Sequence, residues 1–270
     1  MTAHALDSMR LALVGVPNSG KTALFNRLTG SRQKVANYAG VTVERKEGTF
    51  SGPSRVRRYQ VLDLPGTYSL TPTTLDEAVT RDFLLGRLAS EPAPEFVICV
   101  VDATNLRLNL RLVLELRHIG VPMIVALNMS DLARRRGYHL NREALERELG
   151  LPVVETVAVT HGGEESLLAR LEGTPHPGPP PAIDWHEQSA EEIQETQREV
   201  RRILRTIGYA EPARKRALQR LDEFVMHPVT GPVILAAVLF FVFQAVFSWA
   251  AAPMEFIDSA VTWIGQQLHD

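Results

Sequence analysis

The chain contains a single cysteine, Cys99, among its 270 residues. A disulfide framework within the chain is therefore excluded, and a cysteine-based metal cluster is not expected. Basic residues are not in excess either, because 29 Lys and Arg stand against 31 Asp and Glu, for a net charge of −2. Nucleic-acid binding would need a basic patch or stripe. We therefore expect no nucleic-acid partner.

The N-terminus lacks an apolar run after a basic start. Met1 to Arg10 contains no such segment, so we expect no secretory signal and a cytoplasmic first domain. The other end differs, since Val229 to Ala252 carries no charged residue. A helix needs about 20 apolar residues to cross a bilayer. We interpret residues 228–253 as a transmembrane helix and residues 254–270 as a tail; the alternative is a long buried helix of a soluble protein.

Short β-rich runs alternate with helical stretches over residues 1–172. The predicted strands are Leu11–Val16, Thr42–Phe50, Arg57–Asp63, Phe96–Asp102, Met123–Asn128 and Val153–Ala158. The predicted helices are Lys21–Thr29, Leu75–Leu88, Leu106–His118, Arg142–Leu149 and Glu165–Leu171. This alternation predicts an α/β domain with a mostly parallel, doubly wound sheet. Ligands of such sheets bind at the carboxyl ends of the strands.

A linker rich in Pro and Gly follows at residues 173–182, and its prolines indicate a domain boundary. Beyond it, the sequence predicts a small helical domain over residues 183–227. An apolar stripe among charged residues predicts its first helix, Ile183 to about Tyr209. The second predicted helix runs from about Pro212 to Met226.

The segment Gly15–Thr22 fits the phosphate-loop pattern G-x-x-x-x-G-K-[ST], between a predicted strand and a predicted helix. Its glycines let backbone N–H groups converge on phosphate oxygens. Lys21 is expected to reach the β- and γ-phosphates, and Thr22 to bind Mg²⁺. We assign these residues to nucleotide binding: Gly15, Pro17, Asn18, Ser19, Gly20, Lys21, Thr22 and Ala23.

Two further positions extend the phosphate site. Asp63-Leu64-Pro65-Gly66 ends a predicted strand, where Asp63 can hold Mg²⁺ through water and the Gly66 amide can contact the γ-phosphate. A plain turn is the alternative for this motif. Thr42 is the candidate for a threonine that completes the Mg²⁺ shell in the GTP state, although Thr is also ordinary in a β-rich run.

Asn128-Met129-Ser130-Asp131 follows another predicted strand and fits the guanine-specificity pattern of GTPases. The Asp131 carboxylate would accept hydrogen bonds from guanine N1–H and from the exocyclic amine, which adenine lacks. Asn128 would brace the phosphate loop and the purine. Met129 replaces the more common Lys, which predicts weaker nucleotide affinity. In isolation, Asp131 could simply cap a helix.

The chain resembles the cytoplasmic N-terminal region of the FeoB family of bacterial ferrous iron transporters. The stretches that carry the resemblance are Gly15–Asn26, Asn37–Glu44, Asp63–Leu70, Asp76–Arg81, Val101–Asn109, Asn128–Asp131 and His227–Gly231. The resemblance implies a Ras-like P-loop GTPase followed by a helical domain that favours GDP binding. The family's permease has many membrane helices, whereas this sequence has at most one apolar helix of membrane-spanning length.

The resemblance also implies roles for single residues. Asn18 occupies the position where related GTPases bind an activating K⁺. Pro17 and Thr67 stand where other small GTPases carry a Gly and the water-orienting Gln, so slow intrinsic hydrolysis is expected. Val157 and Ala158 fall in the last guanine-contacting loop. Because Val157 replaces the Ser that the family often has there, we predict only a backbone contact to guanine near Ala158. Catalysis is thus assigned to Asn18, Lys21, Thr42 and Gly66.

The predicted function is a GTP/GDP switch, with Mg²⁺ and K⁺, that is coupled to Fe²⁺ uptake at the bacterial inner membrane. Its partner would be the remaining permease helices of the same transporter, and homo-oligomerisation stays open. One helix cannot form an iron pathway, so we expect either a fragment or a naturally short form. A membrane-tethered regulatory GTPase that binds a protein partner and an ATP-hydrolysing P-loop enzyme are the alternatives; Asn128 and Asp131 argue against the latter.

Overall fold

The computed structural model describes residues 8–30, 33–38, 43–88, 91–176, 185–210 and 221–249, together with residues 257 and 259. The chain divides into two compact units, residues 1–210 and 211–270. The strands of the first unit are β1 (Ser8–Gly15), β2 (Gln33–Asn37), β3 (Glu44–Ser51), β4 (Arg58–Asp63), β5 (Phe96–Asp102), β6 (Met123–Asn128) and β7 (Val153–Glu155). Its helices are α1 (Lys21–Thr29), α2 (Leu75–Leu84), α3 (Leu106–His118), α4 (Ser130–Arg135), α5 (Arg142–Leu149), α6 (Glu165–Glu172) and α7 (Ala190–Thr206).

The described strands form one seven-stranded sheet in the order β2-β3-β4-β1-β5-β6-β7. Strands β4, β1, β5, β6 and β7 are parallel neighbours, whereas β3 pairs antiparallel with both β2 and β4. The predicted mostly parallel α/β sheet is therefore confirmed. Because the parallel strands run in one direction, β1, β4 and β6 all end at the same edge of the sheet.

Both faces of the sheet are covered by helices, which explains why its central strands are apolar at successive positions. Along β1, Ala12 and Val14 belong to one core, whereas Leu11 and Leu13 belong to the other. The first core contains residues of α2, α3, α5 and α7, and the second contains residues of α1 and α6. Cys99 lies in the first core, where burial raises the pKa of its thiol to about 12. The thiol is thus an inert core group.

Helix α7 packs against α3 and α5. Val200, Ile203, Leu204 and Ile207 are buried in the same core as one face of the sheet. The segment before α7 is also attached to the first unit, because the guanidinium groups of Arg81 and Arg87 lie 5.1 and 5.4 Å from the ring centroid of Trp185. The division into a domain ending at residue 172 and a helical domain beginning at residue 183 stays a prediction.

The second unit contains helix α8, Thr230–Gln244, which continues as a π-helix over Ala245–Trp249. Residues 221–225 are also helical. The segment Thr230–Phe247 has a mean hydropathy of 2.2 over 18 residues, and none of it is buried. By length and composition it could cross a membrane. The alternative of a buried core helix therefore has no support within the described part of this unit.

Several element boundaries differ from the predictions. The capping box of Ser189 and Glu192 starts α7 at Ala190, so residues 185–189 are not helical as predicted. Strand β2 and helix α4 were not predicted; β7 ends at Glu155 rather than Ala158, and α2 ends at Leu84 rather than Leu88. Most of the predicted helix Pro212–Met226 lies outside the described residues.

We expect Ile203→Ala to destabilise the first unit, because the Ile203 side chain is fully buried in the core that α7 shares with the sheet. Such truncations cost about 2–5 kcal/mol, which corresponds to a decrease in Tm of roughly 4–20 °C for a domain of this size. Thermal unfolding of the full chain in detergent, followed by circular dichroism, measures the shift.

Arg201→Ala is the matched control, because Arg201 is exposed on the same helix and Ala is the best helix former. An unchanged Tm for Ile203→Ala would contradict the packing of α7 described above.

Candidate functional site

The phosphate loop connects the end of β1 to the start of α1. Gly20 caps α1 with a left-handed φ of 86° and without a side-chain cap, so no side chain competes for the first N–H groups of this helix. A cavity of about 420 Å³ opens there. It is lined by Val16, Pro17, Asn18, Gly20, Lys21, Thr22, Ala23 and Gly66. Free helix N–H groups beside a cavity suit an anion.

Two glycines of this loop have steric reasons to be glycine. A Cβ on Gly20 would lie 2.1 Å from Nδ2 of Asn128, and one on Gly15 would lie 2.6 Å from the carbonyl oxygen of Val100. Asn18 also has a left-handed φ of 64°, and its side chain is exposed. The loop is therefore closely packed from beneath, while Asn18 lies at its outer side.

Lys21, Thr22 and Asp63 converge beside the cavity. Lys21 Nζ donates to Asp63 Oδ1 at 2.6 Å, and Thr22 Oγ1 donates to Asp63 Oδ2 at 3.4 Å. The side chains of Lys21 and Asp63 are only 11% and 5% exposed. A hydroxyl and a carboxylate are hard oxygen donors of the kind that Mg²⁺ prefers. This donor set fits a magnesium ion bound together with phosphate oxygens.

Gly66 lies against the outer side of the phosphate loop. A Cβ at Gly66 would be 3.1 Å from Cγ of Pro17. The next residue, Thr67, is fully buried; its N–H donates to the Gly15 carbonyl at 3.2 Å, and its hydroxyl donates to the Ser69 carbonyl at 2.5 Å. The Thr67 side chain is therefore occupied within its own loop and does not replace a water-orienting Gln.

Asn128 connects the phosphate loop to the loop after β7. Its Nδ2 donates to the Ser19 carbonyl at 3.0 Å, and its Oδ1 accepts from the Ala158 N–H at 3.0 Å. Oδ1 also accepts from Thr156 Oγ1 at 3.4 Å. Thr156 is a buried residue that sequence reasoning missed, since nothing local to residues 153–158 indicates this contact.

Asp131, Met129 and Val157 lie around these loops. Asp131 Oδ2 is 3.6 Å from Nη2 of Arg135, one turn later on α4. Met129 has a left-handed φ of 58°, and its Cε lies 3.4 Å from the position of a Cβ on Gly20. The Val157 carbonyl accepts from the Thr160 N–H at 2.9 Å. The Ala158 N–H already donates to Asn128. To make the predicted backbone contact with guanine, it would have to donate to both acceptors.

The structure thus places Gly66 and most of the predicted residues of the phosphate loop around one cavity. Asp63 joins them through its bonds to Lys21 and Thr22, and Asn128 connects the loop to Ala158. Ser19 is buried, and its Oγ has no hydrogen-bond partner among the described residues. Thr42 lies outside the described residues, so its assignment stays a prediction.

Comparison with known proteins agrees with this architecture. A family model described as "Ferrous iron transport protein B" matches residues 9–171. The chain is 47% identical over 171 residues to the Fe(2+) transporter FeoB of Escherichia coli (strain K12), which covers 62% of this chain and 21% of the relative. The chain thus spans about a fifth of the length of that curated relative.

Solved structures give the same family. The cytosolic domain of T. maritima FeoB in apo form is 30% identical, with a TM-score of 0.64, and the match covers 75% of this chain and all of that domain. The GMPPNP form of the same domain is 29% identical with the same TM-score and coverage. Since the family model matches more than half of the chain, the chain belongs to the ferrous iron transport protein B family.

Proposed function

We propose that this chain binds GTP and GDP with Mg²⁺ and hydrolyses GTP as the nucleotide switch of an Fe²⁺ transporter. The observation that carries the proposal is the convergence of three motifs at one edge of the sheet, where Asn128 bonds the phosphate loop to the loop of Ala158. The T. maritima domain, solved in GMPPNP and GDP forms, adds support from a relative.

The phosphates would lie on the N–H groups at the start of α1. Lys21 would exchange its bond to Asp63 for the β- and γ-phosphates, and the Gly66 amide would contact the γ-phosphate. Thr22 and Asp63, with Thr42 as the predicted third side chain, would hold Mg²⁺. Bound Mg²⁺ would neutralise the charge that develops on the phosphate oxygens. The catalytic role of these residues is thus to position and polarise the phosphates.

Guanine selection is assigned to Asp131. A carboxylate can accept both the N1–H and the exocyclic amine of guanine, whereas adenine offers no such donor pair. Arg135 would have to release Asp131 when the base binds. Since Arg135 is highly exposed, this exchange costs little. Asn128, Met129, Val157 and Ala158 would form the rest of the base site.

We expect Asp131→Asn to weaken GDP binding by about 100-fold or more, because two hydrogen bonds to a charged group contribute about 1.5–3 kcal/mol each. The same variant should gain affinity for xanthosine diphosphate, whose C2 oxygen accepts from the Asn amide. Competition titrations with a fluorescent nucleotide on the full chain in detergent measure both affinities.

Arg135→Gln is the matched control, since it removes the ion pair and leaves the carboxylate. It should keep the preference for guanine. Unchanged guanine binding by Asp131→Asn would show that the base-specificity assignment is wrong.

Potassium is proposed as the missing catalytic charge. Asn18 lies exposed at the outer side of the loop, where its amide oxygen could bind K⁺, and Thr67 is occupied elsewhere. A K⁺ ion between the phosphates would supply positive charge where an arginine finger acts in other GTPases.

GTP hydrolysis should therefore be faster in KCl than in NaCl of equal concentration, on the order of tenfold or more, as is typical for removal of one transition-state charge partner. Asn18→Ala should remove this difference. Asn26→Ala, on the exposed side of α1, is the control and should keep it. Equal wild-type rates in both salts would exclude the potassium proposal.

The apolar segment Thr230–Phe247 supports a place in the bacterial inner membrane, with the first unit in the cytoplasm. The remaining permease helices of the transporter would be the partner that responds to the nucleotide. A regulatory GTPase that moves no ion would share the nucleotide site but not this coupling.

Lys21→Ala in the full-length gene should therefore abolish most Fe²⁺ uptake by cells, because its ammonium is the only cationic side chain lining the phosphate cavity in the described part of the chain. Uptake of radioactive Fe²⁺, normalised to the amount of protein in the membrane, measures the effect. Lys34→Ala, at an exposed position of β2, is the control. Wild-type uptake by Lys21→Ala would favour the regulatory GTPase.

A further inference from the structure

Glu115 is a buried carboxylate in the C-terminal half of α3. Its side chain is 3% exposed, and its helix neighbours Leu112, Leu114 and Leu116 belong to the first core. A buried charge is costly unless it is paired and hydrogen-bonded. The two oxygens of Glu115 must therefore have hydrogen-bond partners that offset the free-energy cost of burying the charge.

Both oxygens are used. Oε2 accepts from the backbone N–H of Leu70 at 2.6 Å, and Oε1 accepts from Nε of Arg111 at 2.8 Å. Leu70 comes four residues after Gly66, and it is itself buried. Glu115 thus connects a helix of the core to the loop that carries the proposed γ-phosphate contact.

The loop from Gly66 to Leu70 is anchored at each end, and Thr67 Oγ1 also lies within hydrogen-bond distance, 3.4 Å, of Glu77 Oε1. At its start, the Thr67 N–H donates to the Gly15 carbonyl of the phosphate loop. At its end, the Leu70 N–H donates to Glu115. Between them, the Thr67 hydroxyl bonds to the Ser69 carbonyl, which makes the segment compact. A change at the second anchor would reach Gly66 through Thr67, the residue next to it.

Space for such a movement lies next to the second anchor. A cavity of about 420 Å³ is lined by Leu70, Thr71 and Glu115, and also by Trp185 and Glu192. Without the bond from Glu115, Leu70 and Thr71 would have room to shift into this cavity.

We propose that Glu115 is a positioning residue for the γ-phosphate. By holding Leu70, it keeps the Gly66 amide beside Pro17, so that binding of a nucleoside triphosphate depends on Glu115 and binding of the diphosphate does not. This inference rests on the proposed GTPase function. Glu115 itself touches neither nucleotide nor metal.

The test compares the affinities for GMPPNP and GDP, with Mg²⁺, of the full chain in detergent. Glu115→Leu removes both bonds and should weaken GMPPNP binding about tenfold, equivalent to about 1.4 kcal/mol, while GDP binding changes less than about twofold. Glu115→Gln keeps an acceptor for Leu70 and should restore most of the loss, to within about threefold, since neutral hydrogen bonds are weaker than charged ones.

Glu143→Gln, on the exposed face of α5, is the control and should bind both nucleotides like the wild type. Equal weakening of GMPPNP and GDP in Glu115→Leu would indicate general structural support and would overturn the inference. Wild-type affinities for both nucleotides would overturn it as well. If Glu115→Leu does not fold, Glu115→Gln decides: the loss of charge at the acceptor should weaken GMPPNP binding by about two- to threefold relative to GDP binding, and a ratio equal to that of the wild type contradicts the proposal.

The failure of this inference is distinguishable from failure of the proposed function. If only this inference fails, the wild type binds GDP and Asp131→Asn weakens that binding, but the Glu115 variants have the same ratio of GMPPNP affinity to GDP affinity as the wild type. If the proposed function fails, the wild type itself binds no guanine nucleotide.

Discussion

The side-chain amide of Asn128 is the interaction on which the candidate site depends. It is buried at the end of β6, where its nitrogen bonds to the phosphate loop and its oxygen bonds to the loop after β7. An amide is the one short side chain that donates and accepts in opposite directions. Aspartate would lose the donor, and glutamine would add a methylene in a place where Gly20 already contacts Nδ2. One residue therefore connects the phosphate loop to the loop after β7, the two loops that carry the proposed phosphate and base contacts.

Much of the site could be predicted because its motifs are local. The phosphate loop is a continuous run of residues from Gly15 to Thr22. Parallel pairing of the strands places the ends of β1, β4 and β6 at one edge of the sheet, so Asp63 and Asn128 lie at the same edge as this loop. The partners of Asn128 could not be predicted, because Thr156 and Ala158 contact it across about 30 residues of chain. A contact of this kind leaves no pattern near either residue.

Other differences have separate physical causes. Strand β2 was missed because its described side chains, Lys34 to Asn37, are exposed, so the alternation that marks a half-buried strand is absent. The start of α7 was predicted too early, although Ser189 and Glu192 have the spacing of a capping box. Glu115 lies within a predicted helix, and the sequence does not show that its partner is a backbone N–H in a distant loop.

The packing of α7 limits how a nucleotide signal can travel. Val200, Ile203, Leu204 and Ile207 are buried with the sheet, and burial of each such side chain contributes about 1.5–3 kcal/mol, or roughly 6–12 kcal/mol together. A ligand that converts a two-state equilibrium almost completely supplies about 5.5 kcal/mol. Undocking of α7 would therefore cost at least as much as a population shift of that size. Because α7 is packed on α3, a nucleotide-dependent signal of the kind proposed would leave this unit through a joint displacement of the two helices rather than through their separation.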